Sequence, residues 1–575
     1  MAEKIYRINM TTLAATVEDV PEKWKVLGGR GLTSTIVSQE VKPTCDPLGK
    51  YNKLIFAPGL LTGTMCANSG RLSAGGKSPL TGTIKESNAG GTAAQCFANL
   101  GIKALIIEGL PQKDTWYNLH VDKNGVTIQE EKALVGKGNY EVMQTLTKKH
   151  GDKIGILSIG PAGEMRMAAA NISVKDPDGN IRSHGRGGLG AVMGSKKIKY
   201  ITIDAEGGSG VAIADKEKFK TVARAFAKAL LENPVSGQSL KLYGTDVLVN
   251  ILNESGGLPT RNFRDGQFAG AEKISGETLR ETILSRKGKP HHACHAGCVI
   301  QCSQVFNDKD GNYVTSGFEY ETIWGFGANC CIDDLDIIAK ADHLLDDIGI
   351  DTIETAVAIG VAMEAGIIPF GDGAGTLKLL KEIGDGTPLG RTLGSGAAVV
   401  GKTYGITRVP VVKNQGLSAY DPRPVKGMGI TYATSTMGSD HTAGYCIPVN
   451  ILRIGGFVDP LKKEGEVELS RKLQIGTALI DSTGLCIFVI FAMLDKPEVF
   501  SLVFDMINAK YDLDMTADDG RTLGRKILRT EHEFNMAAGF SNKHDRLPEF
   551  FEEPIAPHNA VWDFTTEEID SFWGV

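Results

Sequence analysis

The chain has 575 residues, with 62 Lys and Arg against 68 Asp and Glu and a formal charge of −6 at neutral pH. That length exceeds what one hydrophobic core fills, so several domains are expected. Near-balanced charge without long blocks of one sign excludes a nucleic-acid footprint or an acidic tail, and points to small molecules or proteins as partners. Glycine is the compositional oddity, at 70 residues or about 12 per cent where about 7 is usual. These glycines gather in turns, where a backbone without Cβ can approach a large ligand closely.

The chain opens with charged residues and a strand-like Ile5-Tyr-Arg-Ile-Asn, without the apolar core and cleavage site of a signal peptide. Its longest apolar run, Leu485 to Leu494, is too short to span a bilayer. A cytoplasmic protein with no membrane segment is expected, and there ten cysteines suit metal binding better than disulfides. Short apolar runs at Lys53-Leu-Ile-Phe-Ala, Ala104-Leu-Ile-Ile-Glu, Ile154-Gly-Ile-Leu-Ser-Ile and Lys199-Tyr-Ile-Thr-Ile-Asp predict strands. After Gly207 the spacing turns helical, over 215–231, 334–366, 374–383 and 389–404. The predicted fold class is α+β: a β-rich sandwich domain at 1–207, then two mainly helical domains at 208–410 and 411–575. No internal repeat is visible.

Two Gly-rich stretches mark the β-rich domain: Ser69-Gly-Arg71 through Lys77-Ser-Pro-Leu-Thr-Gly82 to Asn88-Ala-Gly-Gly91, and Arg182-Ser183-His-Gly185-Arg186-Gly-Gly188 onward to Ser195. Glycines interleaved with Arg and Lys suit phosphate, since amides approach closely and guanidinium bonds bidentately; sharp turns with solvated basic residues are the plainer reading. Cys294, Cys298 and Cys302 fall within nine residues, and Cys486 lies far downstream. Four thiolates suit a cubane iron–sulfur cluster, although structural zinc aided by His291, His292 and His295, or simply buried thiols, stays open. Glu321 and His441 are acid–base candidates in apolar or Gly-rich surroundings, and Cys330-Cys331 adjoin the former. Asp346-Asp-Ile-Gly349-Ile-Asp351 and Asp481-Ser-Thr-Gly-Leu485-Cys486 share the pattern Asp-x-x-Gly-(Ile/Leu). Each reads as a helix C-terminus turned by glycine, and two copies of one turn would also suit two copies of one heterocycle.

Taken in order, Lys77-Ser-Pro-Leu-Thr-Gly, Ile159-Gly-Pro-Ala-Gly-Glu, Gly185-Arg-Gly-Gly, Gly190-Ala-Val-Met-Gly-Ser-Lys, Tyr243-Gly-Thr, Glu319-Tyr-Glu, Gly327-Ala-Asn, Ala419-Tyr-Asp-Pro-Arg, Ala478-Leu-Ile-Asp-Ser and Leu547-Pro through Glu552-Glu-Pro resemble the aldehyde ferredoxin oxidoreductase family. The resemblance covers essentially the whole chain. It implies a tungsten, or molybdenum, bis-molybdopterin beside a 4Fe–4S cluster ligated by Cys294, Cys298, Cys302 and Cys486. It implies that the turns at Asp346, Gly349 and Asp351 and at Asp481 and Leu485 each grip one pterin, with Arg71 between cluster and pterin. Backbone carbonyls of Asn88 and Ser183 would hold a magnesium ion bridging the pterin phosphates, with Arg182, Gly185 and Arg186 nearby. Glu321 and His441 would act on an aldehyde becoming a carboxylic acid, with electrons leaving to ferredoxin or a small ferredoxin-like subunit in a homo- or hetero-oligomer.

Three departures from the family pattern stand out. The first gap in the cysteine run is three residues instead of two, Ala443 replaces a lysine, and Cys330-Cys331 lie where aldehyde-oxidising members are apolar. In the class II benzoyl-coenzyme A reductase branch a cysteine binds tungsten, so Cys330 or Cys331 as a tungsten ligand in a low-potential reductase of an aromatic thioester is the competing expectation. A non-catalytic electron-transfer subunit that has lost its pterin is a third, against which both Asp-x-x-Gly turns and Arg71 speak.

Overall fold

The structure, a computed structural model, describes residues 3–574. Its first six strands are β1 (Lys4–Asn9), β2 (Ala14–Asp19), β3 (Leu54–Pro58), β4 (Leu72–Lys77), β5 (Ile84–Ala89) and β6 (Ile102–Glu108). They pair in the order β2-β1-β6-β3-β4-β5. The next six are β7 (Trp116–Asp122), β8 (Gly125–Glu131), β9 (Gly155–Ser158), β10 (Ile172–Lys175), β11 (Ile181–His184) and β12 (Ile198–Ile203), in the order β11-β10-β9-β12-β7-β8. Reversing the second order reproduces the first with six added to every number. In both sheets only the pairing of first strand with last is parallel. Helices also recur at matching places, Gly29–Glu40 and Asn139–His150 after the second strand, and Ala93–Asn99 and Leu189–Ser195 before the sixth.

The repeat escapes sequence inspection because it is a repeat of topology, carried by different side chains. Phe56, Leu72, Leu105 and Ile107 from one sheet and Leu119, Leu157, Val174 and Ile201 from the other bury into one core, giving the expected sandwich. The remainder is mostly helical, so the α+β class holds. The helical spacing over 334–366 resolves into two helices, Leu335–Ile348 and Thr352–Glu364, divided at the expected glycine turn, where Gly349 takes φ +75° and Asp351 caps the second helix by accepting from the amide of Ile353. A three-stranded sheet that the helical reading of this region missed, β13 (Lys289–His292), β14 (Ser303–Asn307) and β15 (Tyr313–Ser316), carries the cysteine run on its first connection. Among the described residues no helix is long and apolar enough to cross a membrane.

The two Asp-x-x-Gly turns dock on the sandwich in parallel fashion. Helix Glu466–Thr483 ends at Gly484 with φ +82°, and its last carbonyls are taken up from outside: the amides of Leu60, Leu61 and Arg71 donate to Ser482, Thr483 and Gly484. On the other side the amide of Asn171, which precedes β10 as Arg71 precedes β4, donates to Gly349. A Cβ on Gly59 would stand 2.0 Å from the Gly484 nitrogen, and one on Gly160 2.2 Å from the Ile348 carbonyl oxygen. Neither glycine has a left-handed φ, so what excludes a side chain is backbone proximity alone. Gly160→Ala is therefore expected to cost about 1–3 kcal/mol or more through overpacking. Gly476→Ala, inside the docked helix Glu466–Thr483 but with open space around it, should leave thermal unfolding unchanged or slightly raised.

Candidate active site

A cleft with lobes of about 340 Å³ and 170 Å³ lies where the turns meet the sandwich, the lobes sharing Arg71, Gly185, Arg186 and His441 on their walls. The larger also collects Arg182, Ser183, Asp346 and Asp351 with Cys294, Cys302, Cys486 and Glu321, and the smaller collects Asn88 and Asp481. Residues nearly 400 positions apart in sequence thus converge. Gly349 and Leu485 line neither lobe; the first ends its helix and the second is buried in an apolar cluster with Leu60 and Leu61.

The cleft is built to take polar ligand atoms. Burial raises the carboxyl of Asp481 to about 6 against the opposing Arg30, and raises that of Asp346 well above the usual range, with Asp342 reinforcing it. Asp481 receives Arg30 Nη1 at 3.3 Å and Asn88 Nδ2 at 3.2 Å, and Asp346 the Tyr140 hydroxyl at 3.4 Å. The Ser183 hydroxyl has no partner, and a Cβ on Gly185 would meet nothing within 4 Å. Open space, unpaired polar atoms and half-satisfied buried acids fit a large polar group such as a pterin with its phosphate. Arg186 is held by Asp351 at 3.2 Å, Ser418 Oγ at 3.2 Å, Ser439 O at 2.8 Å and Gly416 O at 2.6 Å, so it offers an anion chiefly a fixed positive charge. Arg182 is likewise held by Asp176, which also meets His292 at 2.7 Å. Arg71 spans Asn88, donating to its side-chain oxygen at 2.6 Å and its carbonyl at 3.0 Å.

The cysteine run sits against the Asp481 turn. Ligand atoms of Cys294, His295 and Cys298 lie within 4.8 Å of one another, and Cys302 and Cys486 share the cleft wall with Cys294. Two N–H groups, Asn68 Nδ2 and the amide of Gln301, both reach the Cys298 sulfur at 3.4 Å. A neutral thiol is a weak acceptor, so paired donors suit a thiolate. The four-sulfur donor set fits a cubane cluster.

Glu321 Oε2 accepts the Ala419 amide at 3.1 Å, while Oε1 is buried without a hydrogen bond, 3.4 Å from His441 Nε2. Burial raises the Glu321 carboxyl above its ordinary value, with His441 opposing. His441 Nδ1 meets the Ser418 hydroxyl at 3.1 Å. Tyr420 packs on both Tyr320 and Tyr445 with ring centroids 5.7 and 5.8 Å apart, walling the same end of the cleft. Cys330 and Cys331 are elsewhere. Cys330 is fully buried beside Asn329 and the Ala356 carbonyl, its thiol pushed far up by burial, and Cys331 is pushed up to about 11 near Arg261. Neither lines a lobe of the cleft, which removes the observation that motivated a thioester reductase.

The chain matches the family models "Aldehyde ferredoxin oxidoreductase, N-terminal domain" over residues 5–205 and "domains 2 & 3" over residues 221–570. It belongs to the aldehyde ferredoxin oxidoreductase family. Tungsten-containing aldehyde ferredoxin oxidoreductases of Pyrococcus furiosus and Thermococcus kodakarensis are 37% and 38% identical to it, each over 96% of this chain and 92% of their own. The WOR-like subunit of an aliphatic sulfonate oxidoreductase from Pyrococcus furiosus is 26% identical over 94% of this chain and 86% of its own. In fold the chain resembles the BamBC active-site complex of benzoyl coenzyme A reductase with 1,5-dienoyl-CoA, at TM-score 0.82 and 18% identity over 99% of this chain and 93% of that one.

Against this family background several site residues were missed in the sequence. Arg30 forks onto Glu531 at 2.9 and 2.8 Å while touching Asp481, and both Arg30 and Glu531 are almost wholly buried. Its setting in Gly28-Gly29-Arg30-Gly31 repeats the Gly and Arg mixture of the two flagged stretches and was the available signal. Glu86, pushed up to about 8 by burial and by Asp481, and Asp440, kept ionised despite burial by Lys85 and Arg186, have no sequence signature. Arg30→Met should strand the Glu531 charge and cost about 3–5 kcal/mol in a thermal or denaturant unfolding assay, with Arg30→Met/Glu531→Gln recovering part of the loss.

Proposed function

We propose that this oxidoreductase converts an aldehyde and water to a carboxylate, RCHO + H2O → RCOO− + 3 H+ + 2 e−, with a tungsten or molybdenum bis-molybdopterin in the cleft. Glu321 carries the reading: one oxygen is fixed by the Ala419 amide and the other is buried, unpartnered and beside His441 at the cleft wall. The tungsten in the relatives' names supports the choice of metal. Asp346 and Asp481 would each accept from, or when protonated donate to, one pterin edge, and the Asn88 and Ser183 carbonyls would hold magnesium between the phosphates. When bound, the metal dithiolene supplies a two-electron sink for the aldehyde. Cys294, Cys298, Cys302 and Cys486 would ligate a 4Fe–4S cluster passing electrons singly to a ferredoxin or small ferredoxin-like subunit in the cytoplasm.

Within that frame the residues divide the proton chemistry. Glu321 Oε1 takes a proton from water as it adds to the carbonyl carbon, and a carboxyl raised by burial is a better base than an exposed one. In the tautomer whose Nδ1 accepts from the Ser418 hydroxyl, His441 carries its proton on Nε2 and can donate it in a hydrogen bond to the carbonyl oxygen. Tyr320, Tyr420 and Tyr445 exclude bulk water from that end.

Anaerobically purified protein should contain tungsten or molybdenum with about four irons per chain, as a cubane cluster requires, and should reduce a viologen dye with aldehydes. A metal-replete preparation that reduced no dye across an aldehyde panel would overturn the reading. Glu321→Gln should lower kcat by at least about 100-fold. The base works only as carboxylate, so wild-type kcat should fall as pH drops through a value above the ordinary glutamate range, and this acid limb should vanish in Glu321→Gln.

A further inference from the structure

Asn68 occupies a position that neither the Gly-rich pattern nor the cysteine spacing identifies. It is fully buried with φ +59°, a left-handed conformation that asparagine tolerates better than most residues. Four of its atoms are committed between the two cysteine-bearing segments. Its amide donates to Gly297 O at 3.0 Å, and its carbonyl accepts from the amide of Cys486 at 2.9 Å. In the side chain, Oδ1 accepts from the amide of Val299 at 3.1 Å and Nδ2 donates to the Cys298 sulfur at 3.4 Å. One residue from the β-rich domain therefore fixes the loop of the cysteine run, fixes the fourth cysteine, and aims a donor at a sulfur.

We infer that Asn68 is a positioning residue that sets the reduction potential of the cluster through its N–H···S hydrogen bond to Cys298, an inference that rests on the cysteine-ligated cluster proposed above. An N–H directed at a ligand sulfur stabilises the form carrying more negative charge, which is the reduced cluster, and so raises the potential. Gln301 supplies the second such bond from its own amide, which no side-chain change removes. The Asn68 donor is the one of the pair that substitution can delete. The same residue is tied to the Cys486 segment through its main-chain carbonyl, so sulfur tuning and cluster geometry meet in a single residue.

Two variants separate these roles in the full holoenzyme, read by electron paramagnetic resonance during a redox titration with iron counted in parallel. Asn68→Gly keeps the left-handed backbone and its two main-chain bonds but deletes both side-chain bonds. Asn68→Asp keeps the acceptor for Val299 and places a carboxylate oxygen where the donor was. Both should retain the cluster and titrate below wild type, by about tenfold in the reduced-to-oxidised ratio at fixed potential, or about 59 mV for a one-electron couple, with Asn68→Asp the lower. Wild-type potential in either cluster-containing variant overturns the inference. Loss of iron from either variant while wild type retains it also overturns it, because the side chain then holds the loop and does not tune the sulfur. A wild-type protein without a reducible 4Fe–4S signal overturns the reading of the cysteines themselves, a result separable from the other two.

Discussion

Backbone meeting backbone without an intervening side chain is the constraint on which this structure turns. At Gly59 against Gly484 and at Gly160 against Ile348, a helix C-terminus is pressed onto the sandwich so closely that a single methyl group would collide. The contact satisfies helix carbonyls that would otherwise end buried and unpaired, since amides of Leu60, Leu61, Arg71 and Asn171 reach them directly. It also sets the aspartates that open each turn at the edge of the cleft. The high glycine content is thereby explained at the places where it matters, and the cleft exists because these two contacts hold its walls at a fixed separation.

Inside those walls the electrostatics alternate. Arg30, Arg182 and Arg186 interleave with Asp176, Asp351, Glu531 and the raised acids Asp346 and Asp481. In a low-dielectric setting each arginine needs its acid, and the acids in turn hold the guanidinium groups in one geometry. Most of these arginines are already committed to protein partners, so an incoming anion meets an organised positive field more than a set of free donors. The raised acids Asp346 and Asp481 stand on the two turns, which puts polar capacity where a heterocycle would lie.

The strands at 53–57, 104–108 and 199–204 were legible because short apolar runs between Gly and Asn turns survive as a local signal. The cysteines, Glu321, His441 and both Asp-x-x-Gly turns stood out by residue type and spacing and took roles only from the family resemblance, and the structure brings Cys294, Cys302, Cys486, Glu321, His441, Asp346 and Asp481 onto the walls of one cleft. The topological repeat was not, since strand order leaves no trace when the side chains differ. Neither was the sheet at 289–316, whose short polar strands lack alternation. Asn68, Arg30, Glu86 and Asp440 act only through tertiary neighbours. Cys330 shows the opposite failure: a reactive residue type in an evocative place that folds into the apolar core.

The two halves of the cleft are equivalent in scaffold but diverge two residues past their glycines. Beyond Gly349-Ile350 stands Asp351, which caps a helix and is neutralised by Arg186; beyond Gly484-Leu485 stands Cys486, tied through Asn68 to the loop of the cysteine run and the Cys298 sulfur. Under the proposed cofactor assignment, a symmetric cradle would be wired on one flank and insulated on the other. Charge generated between two look-alike sites would then have a single outlet, with direction set by one residue at one of two matching positions. A duplicated framework acquires polarity without any change in its fold.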